Sequence, residues 1–195
     1  LLDSGSALGR NCGPLLIKNL QTELTKESLI AIPGIYTTAN LLLELAFPNF
    51  QNKKEVLFSE IEEKVLKNEV DAGLIIHENR FTYQDRGLEK VIDLGEFWEQ
   101  KTSLPIPLGG IFIRGNFTTE IKKKVERVLK RSVEFAFSNP TSSSDYVKCN
   151  AQELDEKVIK SHIDLYVNEF SVSLGEEGRN AIQMLQDLHQ NRIVD

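Results

Sequence analysis

The sequence predicts an α/β fold built on a parallel sheet, and three observations lead to this class. Within residues 29–76, short apolar runs alternate with segments whose apolar residues recur every three or four positions. The runs have the length of strands, and the periodic segments have the spacing of amphipathic helices. An order of strand, helix, strand, helix, strand requires crossover connections, which join parallel strands. The chain therefore contains a βαβαβ unit.

The first half of this unit has clear boundaries. The strand at residues 29–32 ends at Pro33-Gly34, a strong turn signal. A leucine-dense helix over residues 39–47 follows, and either Thr37 or Thr38 can be its N-cap. Backbone N–H groups at such a helix start favour carboxylate, hydroxyl or phosphate oxygens. Two roles stay open for these threonines, since they either only cap the helix or also face a ligand.

The second half of the unit repeats the pattern. Residues 55–58 are predicted to form a strand, and Ser59 to Glu62 reads as a capping box in which Ser59 caps the next helix. The central strand, residues 72–76, is apolar throughout and flanked by polar residues. This is typical of a strand that helices cover on both faces.

The pattern becomes less regular after the central strand. Residues 89–98 are predicted to be extended, with a bulge at Gly95. The Pro- and Gly-rich residues 102–110 indicate a crossing between two lobes, followed by a strand at 111–113. From Thr118 onward, apolar stripes at helical spacing predict helices.

Composition and charge limit the classes of function. The chain has 195 residues, of which 41% are hydrophobic, and a formal net charge of -6. An acidic protein of this kind lacks the basic face that a nucleic-acid partner requires. Cys12 and Cys149 are too few and too far apart for a disulfide framework, which favours the cytoplasm. No apolar run has membrane-spanning length, so we expect no membrane span. The expected partner is a small-molecule substrate.

His77 is the strongest candidate for chemistry. It follows the central strand directly, and ligands of open α/β sheets bind at the carboxyl ends of the strands. Histidine also has the unperturbed pKa closest to neutrality. The alternative to a catalytic role is a structural one, in which the imidazole hydrogen-bonds to Glu78 or to the backbone. His162 and His189 lie on helical stripes, the former with Leu154, and are interpreted as ordinary helix residues, so no metal site is indicated.

The first residues of the chain are rich in small side chains. Gly5, Gly9 and Gly13 are spaced four apart, which matches neither a dinucleotide fingerprint nor a P-loop. Ser6 lies outside a Gly-x-Ser-x-Gly elbow, so it has no support as a nucleophile. Residues 1–13 are either a connection between strands or a loop that lines a substrate.

Three segments together resemble the 1,4-dihydroxy-6-naphthoate synthases. They are residues 3–15 (DSGSALGRNCGPL), residues 32–43 (IPGIYTTANLLL), and residues 71–83 with 105–110. The resemblance implies a two-lobed fold like the type II periplasmic binding proteins, with a cleft between lobes and the N-terminal part of lobe I outside this chain. Residues 1–16 and 109–195 would form lobe I, and residues 17–108 lobe II.

The resemblance also implies a reaction and its residues. The family's enzymes are lyases that convert cyclic de-hypoxanthine futalosine to 1,4-dihydroxy-6-naphthoate in menaquinone biosynthesis, with no cofactor and no metal. The family's base falls on His77, and its cleft-lining positions fall on the pair Thr37-Thr38, on Ile76 and on Leu108. The serines at positions 4 and 6, Ser4 and Ser6, are further cleft-lining candidates.

Two other functions remain open at this stage. One is a solute-binding protein of the same architecture, which would hold a small acid between its lobes without chemistry. The other is the chorismate dehydratase of the same pathway, which shares the fold. The strand that ends in His77, together with Thr37-Thr38, favours the synthase.

Overall fold

A computed structural model describes residues 1–151 and 155–193. Leu154, which the sequence places on a helical stripe, lies outside these described residues. The strands are β1 Ala7–Gly9, β2 Leu15–Asn19, β3 Ile30–Ile32, β4 Lys53–Glu55, β5 Ala72–Ile75, β6 Leu88–Asp93 and β7 Ile106–Gly109. The α-helices are α1 Thr38–Ala46, α2 Ile61–Leu66, α3 Leu94–Thr102, α4 Thr119–Ser138, α5 Ser144–Asn150, α6 Glu156–Tyr166, α7 Glu169–Val172 and α8 Gly175–Ile193. Short 3₁₀ turns cover Phe58–Glu60 and His77–Phe81.

The chain divides into two compact units. The first comprises Leu1–Gly9 and Leu104–Asp195, and the second is the continuous segment Arg10–Ser103. The lobes predicted from the sequence, with boundaries at 16/17 and 108/109, stay a prediction. The boundaries differ because β2 pairs within the sheet of the second unit, whereas β7 pairs with β1 in the first unit.

The sheet of the second unit has the strand order β4-β3-β5-β2-β6. Strands β4, β3 and β5 are parallel neighbours, as the predicted βαβαβ unit requires. Strand β2 is antiparallel to both β5 and β6, so the complete sheet is mixed. Residues of β2 on alternating faces are fully or almost fully buried, which shows that both faces of the sheet are covered.

The core of this unit lies between the sheet and α2. Ile61 and Val65 of α2 pack with Leu15, Ile17 and Ile75 of the central strands. Gly73 belongs to the same face, and a Cβ built there would lie 2.4 Å from Ile61 Cγ2. The glycine therefore lets α2 approach β5 closely.

The predicted capping box before α2 is wrong. Phe58–Glu60 forms a 3₁₀ turn, α2 begins at Ile61, and no side chain caps its first turn. The Glu62 side chain is 2% exposed and accepts a hydrogen bond from Arg86 Nη1 at 2.6 Å. Because this distant arginine pairs with Glu62, the carboxylate does not reach back to the helix start.

The predicted extended segment at residues 89–98 is also wrong in its second half. Strand β6 ends at Asp93, whose Oδ1 accepts from the N–H groups of Gly95 and Glu96 and so caps α3. Gly95 therefore lies in the first turn of a helix and is not a bulge. The helix continues through Trp98, which is completely buried. Asp93 is a preferred N-cap residue, and this local signal favours a helix over a longer strand.

The first unit contains a two-stranded ribbon and the C-terminal helices. Strands β1 and β7 are antiparallel, with Gly9 opposite Ile106. Leu8, Phe170, Leu174 and Ala181 form the buried core of this unit. The predicted helix after Thr118 is confirmed as α4, with Thr118 Oγ1 as its cap, but the strand predicted at residues 111–113 is absent from the described structure.

Gly13 and Gly95 bring two backbone segments of the second unit into close approach. A Cβ built on Gly13 would lie 2.1 Å from the Gly95 nitrogen, and a Cβ on Gly95 would lie 2.6 Å from the Gly13 nitrogen. Neither contact is sterically possible for a larger residue. The segment before β2 can therefore lie directly on the start of α3 only if both positions are glycine.

We predict that Gly13→Ala lowers the free energy of unfolding of the second unit by about 3 kcal/mol, because the backbones must separate. Urea unfolding followed by the fluorescence of Trp98, the only tryptophan, measures this loss. Gly115→Ala is the control, since a Cβ there meets nothing within 4 Å among the described residues. A change below about 0.5 kcal/mol is expected for it, and equal stability of the two variants would contradict the proposed contact.

Candidate functional site at the carboxyl edge of the sheet

The topology of the second unit brings two candidate segments to one edge of the sheet. Strands β3 and β5 are adjacent and parallel, with Ile30 opposite Ala72 and Ala31 opposite Gly73. The chain leaves β3 toward Thr37-Thr38 and leaves β5 toward Ile76 and His77. Because both strands end at the same edge, these candidate residues emerge side by side at the place where α/β sheets bind ligands.

His77 has an unusual backbone conformation. Its φ is +60°, in the left-handed region that few non-glycine residues adopt. Ile76 before it is extended, and His77 begins the 3₁₀ turn His77–Phe81, named here the His77 turn. The imidazole is exposed and contacts the edge of the Phe58 ring, with 5.2 Å between ring centroids. Left-handed residues often mark functional sites, where the surroundings hold them in place.

An arginine three residues later ties the His77 turn to the rest of the edge. Arg80 Nη1 donates to the Gly13 carbonyl at 2.6 Å, and Nη2 donates to Asp93 Oδ2 at 2.9 Å. Both side chains are largely buried, with exposed fractions of 13% for Arg80 and 4% for Asp93. The guanidinium thus joins the turn to the segment before β2 and to the start of α3.

A separate polar network holds the loop between β3 and α1. The buried Asn40 amide donates to the Ile35 carbonyl at 2.9 Å, and Ile35 N–H donates to Glu55 Oε2 at 3.2 Å. Lys53 Nζ in turn donates to Asn40 Oδ1 at 3.0 Å and pairs with Glu44. Both backbone groups of Ile35 are therefore engaged, which holds the loop before the helix in one conformation.

The two threonines differ in what their side chains do. Thr37 is the N-cap of α1, accepting from Asn40 N–H at 3.2 Å and donating to the Gly34 carbonyl at 2.7 Å. Its hydroxyl is therefore occupied within the loop. Thr38 is the first helical residue and is half-buried. The N–H groups of Thr38 and Ala39 belong to the first turn, where the helix itself offers no acceptor.

The other predicted site residues belong to the first unit. Leu108 lies in β7 and is half-buried. Ser4 is completely buried, and its hydroxyl donates to the Val172 carbonyl at 2.6 Å. Ser6 is 2% exposed, and its carbonyl accepts from the Ser171 hydroxyl at 3.0 Å. Both serines therefore contribute to the packing of β1 against α7.

Sequence reasoning missed four residues that build this edge. Three of them hold the edge through hydrogen bonds, namely Arg80, Asp93 and Asn40. The fourth is Tyr36, which lies in the loop beside Thr37 with 97% of its surface exposed. Asp93 could have been recognised as an N-cap before the first turn of α3. Arg80 carries no local signal, because its partners lie 67 and 13 positions away in the sequence.

Cys12 lies in the same segment as Gly13 and is buried. Burial raises the pKa of its thiol to about 12, although the nearby Arg80 charge acts in the opposite direction. The thiol is therefore neutral at physiological pH and unsuited to nucleophilic chemistry. Among the described residues, no cluster of three His, Cys, Asp or Glu side chains could hold a metal ion.

Comparison with solved structures places the chain in a class. It superposes on a protein from Archaeoglobus fulgidus with a TM-score of 0.92 at 35% identity, covering all of this chain and 73% of that one. The ligand-binding component of an ABC-type import system from Staphylococcus aureus gives a TM-score of 0.68 at 12% identity, over 98% of this chain and 68% of that one. The second likeness shows the fold alone, which is the α/β fold of periplasmic binding proteins.

Comparison with sequence families is more specific. Residues 1–191 match the model of a family described as menaquinone biosynthesis, and the chain belongs to this family. It is 42% identical over 184 residues to a protein of Thermus thermophilus named 1,4-dihydroxy-6-naphtoate synthase, covering 94% of this chain. A Streptomyces coelicolor protein of the same name is 43% identical over 190 residues. The chain spans 67% of the length of each relative.

We predict that Thr37→Ala lowers the unfolding free energy by about 1 kcal/mol, since the Asn40 N–H loses its cap. Thr37→Ser keeps the hydroxyl and should retain most of that stability. The fluorescence of Trp98 reports the transition, because α3 packs on α1. Equal stability of the serine and alanine variants would show that the cap is not used.

We predict that iodoacetamide at pH 8 modifies Cys149 and leaves Cys12 unmodified in the folded protein. Cys149 is exposed, whereas Cys12 is buried and its raised pKa keeps the thiol protonated. Peptide mass spectrometry after timed quenching measures both sites. In urea both thiols should react, and rapid labelling of Cys12 without urea would contradict its burial.

Proposed function

We propose that the chain acts as a lyase that converts cyclic de-hypoxanthine futalosine to 1,4-dihydroxy-6-naphthoate in menaquinone biosynthesis. The observation that carries this proposal is the identity of 42% and 43%, over most of this chain, to two relatives named for the synthase of that product. A histidine at the carboxyl edge of the sheet, where ligands of α/β sheets bind, supports the proposal. The left-handed backbone of His77 and its contact with the Phe58 ring support a catalytic role for this histidine.

His77 is the proposed general base. Its imidazole is exposed at the carboxyl edge of the sheet, and the left-handed backbone and the Phe58 ring define its direction. In its neutral form the ring accepts a proton from a carbon beside a carbonyl or hydroxyl group, and this step starts fragmentation of the substrate. A positioned histidine contributes roughly 10² to 10⁴ in rate.

The start of α1 is the proposed site for the polar end of the substrate. Because the Thr37 hydroxyl is occupied by the cap, Thr37 acts mainly by holding the helix start in place. The Thr38 side chain and the N–H groups of the first turn then bind the substrate oxygens. Ile76 is the proposed apolar contact for its aromatic part at this edge. Leu108, Ser4 and Ser6 of the first unit stay predicted cleft-lining residues.

The proposed setting is the cytoplasm, with a small molecule as the only required ligand. Within residues 1–151 and 155–193, no helix combines the length and the apolar character that a bilayer crossing needs. The likeness to the import component from Staphylococcus aureus concerns the fold and gives no support to a transport role. The sequence identity to two synthases favours the synthase activity over that of the chorismate dehydratase of the same pathway.

We predict that His77→Asn lowers kcat by roughly 10² to 10⁴, since the base is removed. Asparagine is the suitable replacement because it tolerates a positive φ better than alanine does. Turnover of the cyclic substrate is followed by chromatography and mass spectrometry of the naphthoate product.

His189→Asn is the matched control, because His189 is exposed on α8 in the other unit. It should retain the activity of the unchanged chain. If the asparagine variant at position 77 folds normally and also keeps full turnover, His77 is not the base. If mass spectrometry shows a product from chorismate and none from the cyclic substrate, the dehydratase is the correct assignment.

A further inference from the structure

The Arg80 side chain joins the His77 turn to two other segments of the second unit through hydrogen bonds. Its two terminal nitrogens diverge, one to the Gly13 carbonyl at 2.6 Å and one to Asp93 Oδ2 at 2.9 Å. A guanidinium is planar and its N–H groups have fixed directions. The two bonds therefore restrict both the position and the orientation of the Arg80 side chain.

The partners of Arg80 are themselves immobile. Asp93 uses its second oxygen, Oδ1, to cap α3 through Gly95 and Glu96. The Gly13 backbone lies against Gly95 so closely that neither position accommodates a Cβ. Both groups that accept hydrogen bonds from Arg80 are thus held against the first turn of α3.

The segment that Arg80 holds contains the strained residue. His77 has a φ of +60°, and the turn that follows closes through Thr82 and Tyr83 N–H groups, which donate to the Asn79 carbonyl at 3.2 and 3.1 Å. A non-glycine residue stays in such a conformation only where its surroundings require it. The two hydrogen bonds of Arg80, three residues after His77, hold the turn in this conformation.

We infer that Arg80, paired with Asp93, is the positioning residue for the His77 imidazole. The pair fixes the His77 turn against the start of α3 and so sets the direction in which the ring leaves the edge of the sheet. This inference rests on the proposed role of His77 as the base. Arg80 acts through the backbone of the turn and is not assigned a contact with the substrate.

The inference predicts a specific kinetic pattern for Arg80→Lys. A lysine ammonium keeps the positive charge beside Asp93, but it cannot reproduce the two diverging bonds of the guanidinium. The turn then relaxes and the imidazole moves away from the reacting carbon. Because a displacement of about 1 Å at a catalytic group costs about 10²-fold in rate, kcat should fall by about that factor. KM should change less than about threefold, since the binding groups on α1 are untouched.

Arg86→Lys is a matched control for this variant. Arg86 likewise donates from two terminal nitrogens to two partners, here the carboxylates of Glu62 at 2.6 Å and Glu63 at 3.1 Å, and it lies six positions further along the same unit. Its contacts join α2 and do not involve the His77 turn. The two variants make the same chemical change, so a general loss of an arginine bridge should affect both equally.

A second measurement does not depend on turnover. The chain has three histidines, so the Cε1–Hε1 correlations of their rings are resolved in an NMR spectrum, and the His77→Asn and His189→Asn variants assign them. In Arg80→Lys the His77 signal should shift and lose its contact with the Phe58 ring. The signals of His162 and His189 should stay in place, and Arg86→Lys should leave all three unchanged.

The outcomes separate this inference from the proposed function. If Arg80→Lys is folded, as judged by the Trp98 fluorescence, and keeps both kcat and the His77 signal, Arg80 does not position the imidazole. If Arg80→Lys does not fold, the double variant Arg80→Met with Asp93→Asn removes the buried charges together and provides the same test. If His77→Asn keeps full turnover while Arg80→Lys still moves the His77 signal, the positioning is supported and the role of His77 as the base fails.

Discussion

One buried carboxylate holds the candidate site together. Asp93 is 4% exposed, and it accepts from Arg80 with one oxygen and from the first turn of α3 with the other. An unpaired charge at that depth is costly, and breaking such a pair from one side typically costs about 3–5 kcal/mol. The hydrogen bonds of this carboxylate therefore hold three elements together, namely the end of β6, the start of α3 and the turn after β5. The geometry of the edge is therefore a condition of the stability of the unit.

The two sides of the edge are supported by different means. On the side of α1, the Asn40 amide donates to the Ile35 carbonyl and the Glu55 carboxylate accepts from the Ile35 N–H. On the side of His77, an arginine–aspartate pair holds a turn that begins with a left-handed residue. A helix start that binds substrate oxygens needs N–H groups for which the helix offers no acceptor, and those of Thr38 and Ala39 lie in the first turn of α1. A base needs a fixed direction, and the rigid geometry of a guanidinium provides it.

The sequence predicts those parts of this arrangement that depend on neighbouring residues. The first and third strands of the parallel unit, the N-cap at Thr37 and the position of His77 after β5 follow from local periodicity and turn chemistry. The strand predicted at residues 55–58 is wrong in its bounds, since β4 covers Lys53–Glu55 and Phe58 lies in a 3₁₀ turn. The wrong predictions have different causes. Asp93 is a local cap signal for α3 that the extended interpretation of residues 89–98 overlooked, whereas the antiparallel placement of β2 depends on residues of β5 and β6 far along the chain. Local patterns carry no information about such partners, which is also why Arg80 has no signal in the sequence.

The division of the chain has a consequence for the order in which the molecule is made. The second unit is one continuous segment, whereas β1 of the first unit pairs with β7, which is synthesised only after the whole of the second unit. During synthesis the residues of β1 emerge before the second unit and have no partner strand until β7 follows. The second unit, including the edge that carries His77, can fold meanwhile, because domains generally fold as units. The β1–β7 ribbon can therefore form only after the whole second unit has been synthesised.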